Sequence, residues 1–121
     1  YFDFLILRYL HFHLLINQDI NIIISSQVIN EVCFNLRKKS QFSEIKLKSL
    51  IQNFYDNYNV VNIEEQTMIL ASNIRLSYNV SFWDSLVISS ALESKSQIIY
   101  TEDMQHNLII NDTLQIINPF N

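Results

Sequence analysis

An aspartate in the opening turn of an expected helix, and a second just past a short apolar strand, give this chain its clearest chemistry. The first is Asp84, in Ser81-Phe82-Trp83-Asp84-Ser85-Leu86. The second is Asp103, which closes Tyr100-Thr101-Glu102-Asp103 after the strand Gln97-Ile98-Ile99-Tyr100. A parallel sheet brings two such ends together, because ligands gather outside the carboxyl ends of its strands. Two carboxylates meeting there repel unless they share a proton or a cation. The repulsion favours a hard, oxygen-bound metal ion.

Each acid also has a plainer reading. Ser81-x-x-Asp84 has the form of a capping box, so the local pattern suits a helix cap and a ligand equally. Glu102-Asp103 suits a turn after a strand. Glu31 lies beyond the first turn of its expected helix, so capping does not explain it. Val28, Val32 and Leu36 form the nearer part of the apolar stripe, and at roughly 100° per residue Glu31 falls just off its edge. It is either a solvated flank residue or an acid at the rim of a cleft.

Other reactive side chains offer less. His11 and His13 point to different sides of a helix and lack the spacing of a zinc pair. His106 follows Asp103 in a turn, within reach of a phosphate. Ser85, Ser89 and Ser90 have no base at a readable spacing, so no hydrolase triad is drawn. Cys33 is the one cysteine, so no internal disulfide exists, in keeping with a reducing cytoplasm. Its apolar neighbours make it a packing residue rather than a nucleophile.

The chain has 121 residues, 49% of them hydrophobic and 17% charged, enough for one globular core. A net charge of -4 argues against a basic nucleic-acid-binding surface. It leaves room for a site where a metal ion faces the phosphate. Phe4 to Ile16 is apolar but too short to span a bilayer and is broken by Arg8, His11 and His13, so a core helix and no membrane contact are expected. The chain contains no glycine, and asparagine is the next residue able to adopt positive φ.

The elements that must position the acids alternate. Ile20–Ile24 reads as a buried strand. Ser25 or Ser26 caps a helix to about Lys39, with Arg37, Lys38 and Lys39 at its favourable end. Phe42–Tyr55 is a second helix, with Leu47, Leu50, Ile51 and Phe54 as its buried stripe. Asn59–Ile63 is a strand. Asn62 is expected to cap a helix opening on Glu64 and Glu65, whose face is Met68, Ala71 and Ile74 or Ile69, Leu70 and Leu76. That helix ends at Tyr78-Asn79, with Asn79 as a left-handed cap. The next helix runs from Ser81 to about Ser94. A strand ending near Thr101, a turn over Asp103 to Asn107, an extended Leu114–Ile117 and Pro119 complete the chain. This order predicts an α/β sheet with right-handed crossovers.

Four stretches, in this order, resemble the PIN domain, and within it the ribonuclease toxins of bacterial type II toxin–antitoxin systems (VapC-like). They are Ile23-Ile24-Ser25-Ser26-Gln27-Val28-Ile29-Asn30-Glu31, Leu76-Ser77-Tyr78-Asn79-Val80-Ser81-Phe82-Trp83-Asp84, Ile98-Ile99-Tyr100-Thr101-Glu102-Asp103-Met104-Gln105-His106 and Ile116-Ile117-Asn118-Pro119-Phe120. The resemblance covers the chain from about residue 20 to its end. It implies a three-layer sandwich around a central parallel sheet. It also implies an endoribonuclease that hydrolyses RNA phosphodiester bonds with carboxylate-bound Mg²⁺ or Mn²⁺. Glu31, Asp84 and Asp103 match family acids, as catalytic and metal-binding residues, and Thr101 sits where a hydroxyl supports them. A cognate antitoxin, a homodimer and a cytoplasmic location are implied as well.

The chain departs from the family in two ways. Asn79 and Asn107 stand where the family has Gly, so both are expected at positive φ. The family's first strand, central in its sheet and followed by Asp-Thr/Ser-Asn, has no counterpart. Asp3 and Asp19 precede their apolar runs, which puts them at the wrong end. The expectation is a single PIN-like domain over residues 1–121, truncated at its N-terminus and lacking one acid of four, which weakens cation binding and leaves open whether the chain itself is active. The alternative is a non-catalytic PIN-like module that engages an antitoxin or another subunit. A flavodoxin-like phosphoacceptor domain needs an acid ending a central strand and a later lysine at a strand end, and neither is evident.

Overall fold

The computed structural model describes residues 23–39, 42–101 and 104–118. The expected Phe4–Ile16 helix, Asp3, Asp19, Asp103, Pro119 and the first three residues of the expected Ile20–Ile24 strand lie outside them. The chain forms two compact units, Tyr1–Val61 and Asn62–Asn121. Each contains helices and a parallel strand pair, so the fold class is α/β.

In the first unit β1 (Ile23–Ser25) leads directly into α1 (Ser26–Lys39), then α2 (Glu44–Asn57) and β2 (Asn59–Val61). The two strands pair in parallel, with Ile23 opposite Asn59 and Ser25 opposite Val61. The chain enters a helix after Ser25, so among the described residues β2 pairs only as far as Val61 and stops short of the expected Ile63. Ser25 caps α1, its Oγ accepting the Val28 N–H at 3.3 Å. Ser43 caps α2 in the same way, accepting from the Lys46 N–H at 3.2 Å, and the helix therefore starts two residues after Phe42. Ile29, Val32 and Leu36 of α1 pack on Leu47 and Phe54 of α2. The expected stripe residue Ile51 lies on the exposed flank.

The second unit contains α3 (Glu65–Ser77), α4 (Phe82–Glu93), β3 (Ile98–Tyr100), β4 (Ile109–Ile110) and β5 (Leu114–Ile117). Its strand order is β3-β5-β4, parallel on the β3 side and antiparallel on the β4 side. Alternation places Leu114 and Ile116 of β5 in the core with Ile74, Ile88, Ile99 and Ile110. Burying each such side chain stabilises the fold by about 1.5–3 kcal/mol. The two-residue β4 was not expected, since an isolated Ile-Ile is too short to show a period.

Helices α3 and α4 meet through small residues. Thr67 and Ala71 of α3 and Ser85 and Ser89 of α4 are buried. Spacings of four put each pair on one face. Ser89 Oγ donates to the Thr67 carbonyl across the contact at 2.6 Å. This corrects the expected apolar face of α3. Ala71 and Ile74 are buried, but Met68, Ile69 and Leu76 are exposed, Leu76 by 83%. A close helix pair selects small side chains over the largest apolar ones. The cap of α3 also differs from expectation. It is Glu64 rather than Asn62, and the Glu64 N–H donates to Thr67 Oγ1 at 3.1 Å.

Positive φ falls to Lys95, Asn107, Asn111 and Asp112 among the described residues. Asn107 meets its expectation. Asn79 does not: the Val80 N–H donates to the Tyr78 carbonyl at 3.1 Å, a three-residue turn whose common form holds its central residue at negative φ. Lys95 takes the left-handed role at the end of α4. Its N–H donates to the Leu92 carbonyl at 3.0 Å and the Ser96 N–H to the Ala91 carbonyl at 2.9 Å, the Schellman pattern. Asn111 and Asp112 form the β4–β5 turn, closed by the Thr113 N–H on the Ile110 carbonyl at 3.1 Å. Two successive positive φ values mark a type I′ turn.

Four substitutions test these readings by denaturant unfolding. Lys95→Gly should raise stability by about 1 kcal/mol, because glycine occupies the left-handed region without a Cβ penalty. Asn79→Gly should bring no gain. Ser89→Ala should cost about 1 kcal/mol through its lost hydrogen bond, and Ser89→Leu more, by overpacking the contact.

Candidate functional site

The first turn of α4 is held from three directions. Ser81 caps it, its Oγ accepting the Asp84 N–H at 3.0 Å. The sequence pattern left Ser81-x-x-Asp84 open between cap and ligand, and the capping oxygen belongs to Ser81. Ser85 Oγ donates to the Phe82 carbonyl at 2.6 Å. It also accepts from Arg75 Nη1 of α3 at 2.6 Å. The Arg75 guanidinium lies over the Phe82 ring, with Cζ 4.3 Å from the ring centroid. Phe82 and Trp83 meet edge to face at 5.3 Å.

Asp84 is half-buried in this turn. A carboxylate near a helix N-terminus interacts favourably with the helix dipole. The link from α4 to β3 is short, so the chain turns back. The first turn of α4 and the carboxyl end of β3 therefore lie at the same end of the unit, the usual place for ligands in α/β sheets. Thr101 follows β3 directly. Its N–H donates to the Ile117 carbonyl at 3.0 Å, which extends the parallel pairing and holds the threonine at that end. Asp103, two residues further on, is outside the described residues.

Glu31 belongs to the other unit. It is exposed on α1, where Gln27 Nε2 donates to its Oε1 at 3.0 Å. Its position in the second turn of α1, just after β1, again puts an acid near the carboxyl end of a parallel strand. Among the described residues no group of three His, Cys, Asp or Glu side chains forms a metal-binding cluster. The individual donors are carboxylate and hydroxyl oxygens, the chemistry a hard divalent cation takes.

His11 and His13 lie outside the described residues, and His106 and Ser90 have structural partners. His106 Nδ1 accepts the Asn118 N–H at 3.0 Å and so ties the turn after β3 to the end of β5. Ser90 Oγ donates to the Leu86 carbonyl at 2.9 Å, a local helix bond. Burial pushes the Cys33 thiol above its ordinary value, and the Glu44 carboxylate adds to the shift. Arg75 was not singled out in the sequence, because a basic residue in the last turn of a helix is already explained by the dipole. Only the α3–α4 contact shows that it reaches the Asp84 turn.

The family described as PIN domain matches the chain over residues 9–109. No curated protein matches it. No helix among the described residues is long and apolar enough to cross a membrane.

The raised Cys33 thiol makes a weak nucleophile. Its alkylation by iodoacetamide should be slower at neutral pH than that of a free model thiol, and should rise with pH as the thiolate forms. A rate equal to or above that of the model thiol would count against the packing role.

Proposed function

The chain belongs to the PIN-domain family, and on that premise we propose that it is a metal-dependent endoribonuclease of the toxin type. The family is nuclease-like and divalent-metal dependent. Our finer reading is hydrolysis of RNA phosphodiester bonds, with Glu31, Asp84 and Asp103 as the cation's carboxylates and Thr101 in support. The observation that carries it is Asp84: a half-buried carboxylate on a pinned helix turn, at the carboxyl end of the parallel pair in its unit. Mg²⁺ or Mn²⁺ held there would lower the pKa of bound water and neutralise charge on the phosphate.

The chain's own residues supply positioning. Ser81 and Ser85 fix the backbone around Asp84, so the carboxylate keeps its place as charge changes nearby. The Thr101 N–H bond to β5 fixes the start of the segment that leads to Asp103. The acid balance of Asn62–Asn121, two Lys or Arg against seven Asp or Glu, supports binding of RNA through a cation rather than through a basic surface. We further propose the cytoplasm as its compartment, and an antitoxin protein and a second copy of the chain as its partners.

The test is cleavage of single-stranded RNA by the purified protein with Mg²⁺ or Mn²⁺. Chelation should abolish cleavage, and Asp84→Asn should lower it by at least about 100-fold, the loss of a few kcal/mol of charge stabilisation. Cleavage unchanged by either treatment would end the metal-carboxylate reading. Absence of cleavage, together with partner binding that survives Asp84→Asn, would favour a non-catalytic module.

A further inference from the structure

Phe82 and Trp83 are large aromatic side chains left in solvent beside Asp84. Phe82 is 56% exposed and Trp83 59%. Neither appears among the residues of the unit's core cluster. Both are ordered by neighbours rather than by burial. The Arg75 guanidinium covers Phe82 at 4.3 Å, and Ser85 in turn holds Arg75. Trp83 stands edge-on to Phe82. The group thus offers flat apolar surface and a cation, prearranged one residue from the acid.

We propose that Phe82, Trp83 and Arg75 form a stacking platform for a nucleobase of single-stranded RNA. The inference rests on the nuclease reading for the identity of its ligand. The charge balance favours RNA held by stacking. With Arg75 and Lys95 as the cations of Asn62–Asn121 against seven acids, backbone attraction in this unit is weak. Beyond what a bound cation and Arg75 supply, affinity must then come from contacts indifferent to charge, and a base stacked on an aromatic ring is such a contact. A guanidinium over the Phe82 ring adds a cation to the platform and a donor for the adjoining phosphate. Bases inside a duplex are not available to such a platform, so it selects unpaired RNA.

Trp83 is the chain's one tryptophan, so its fluorescence reports on this site alone. The probe is a short oligoadenylate with neutral methylphosphonate linkages. It can stack, but it carries no backbone charge for a cation or an acid to act on. Titration into the full chain should quench Trp83, and a duplex of the same length should not. Phe82→Ala should weaken binding by about 5- to 100-fold, while Phe82→Tyr retains it. Trp83→Leu, followed by anisotropy of a labelled probe, should weaken it over the same range. Circular dichroism melting confirms that each variant is folded. In the cleavage assay Phe82→Ala should raise KM and leave kcat near its original value.

No quenching by the single strand, or equal affinity in folded Phe82→Ala, would overturn the platform and leave this face to a protein partner. Because the probe needs neither metal nor hydrolysis, quenching without any RNA cleavage would keep the platform and reject the nuclease. Cleavage whose KM ignores Phe82→Ala would do the reverse.

Discussion

The close approach of α3 and α4 governs the second unit. It depends on side chains small enough to let two helices meet, Thr67 and Ala71 on one side and Ser85 and Ser89 on the other. Their hydroxyls have no water to turn to, so each must find a protein acceptor. Ser89 finds one on the opposite helix. Ser85 finds one in its own first turn and receives Arg75 from the opposite helix. The same contact that packs the helices therefore sets the turn carrying Phe82, Trp83 and Asp84. Packing and chemistry share atoms here, which makes the serines unsuited to any nucleophilic role.

Much of the fold was legible because the signals were local. Ser25 and Ser81 cap the helices they precede, and β5 has the span that alternation in Leu114–Ile117 suggests. What was not legible depended on contacts between elements. The face of α3 could not be read from apolarity, because its partner wanted small residues and left Leu76 outside. The Ile109–Ile110 strand exists because β5 lies beside it. Ending β2 at Val61 required knowing where β1 turns into a helix.

The candidate site was legible in the same partial way. Asp84 stands where Ser81-Phe82-Trp83-Asp84 put it, and Thr101 follows the strand that the apolar run marks. Arg75 was invisible, ten residues away along the chain and joined to Ser85 only through the helix pair. The absence of glycine was a sounder clue than its expected address. Among the described residues, left-handed backbone occurs at the expected Asn107 and also at Lys95, Asn111 and Asp112, but not at Asn79. Substitution by a family pattern predicts the residue type, whereas hydrogen bonding decides the dihedral.

The strand order β3-β5-β4 has a consequence for the chain's birth. β5 is made last of the three, yet both of the others pair with it and not with each other. As the polypeptide leaves the ribosome, β3 emerges before β5, the strand that pairs with it among the described residues. The turn after Thr101 gains its anchor only when Leu114–Ile117 arrive. An N-terminal portion can settle early during synthesis, but the end of the unit that carries Asp84 and Thr101 is assembled late. Any activity housed there is withheld from the nascent chain until β5 has been made.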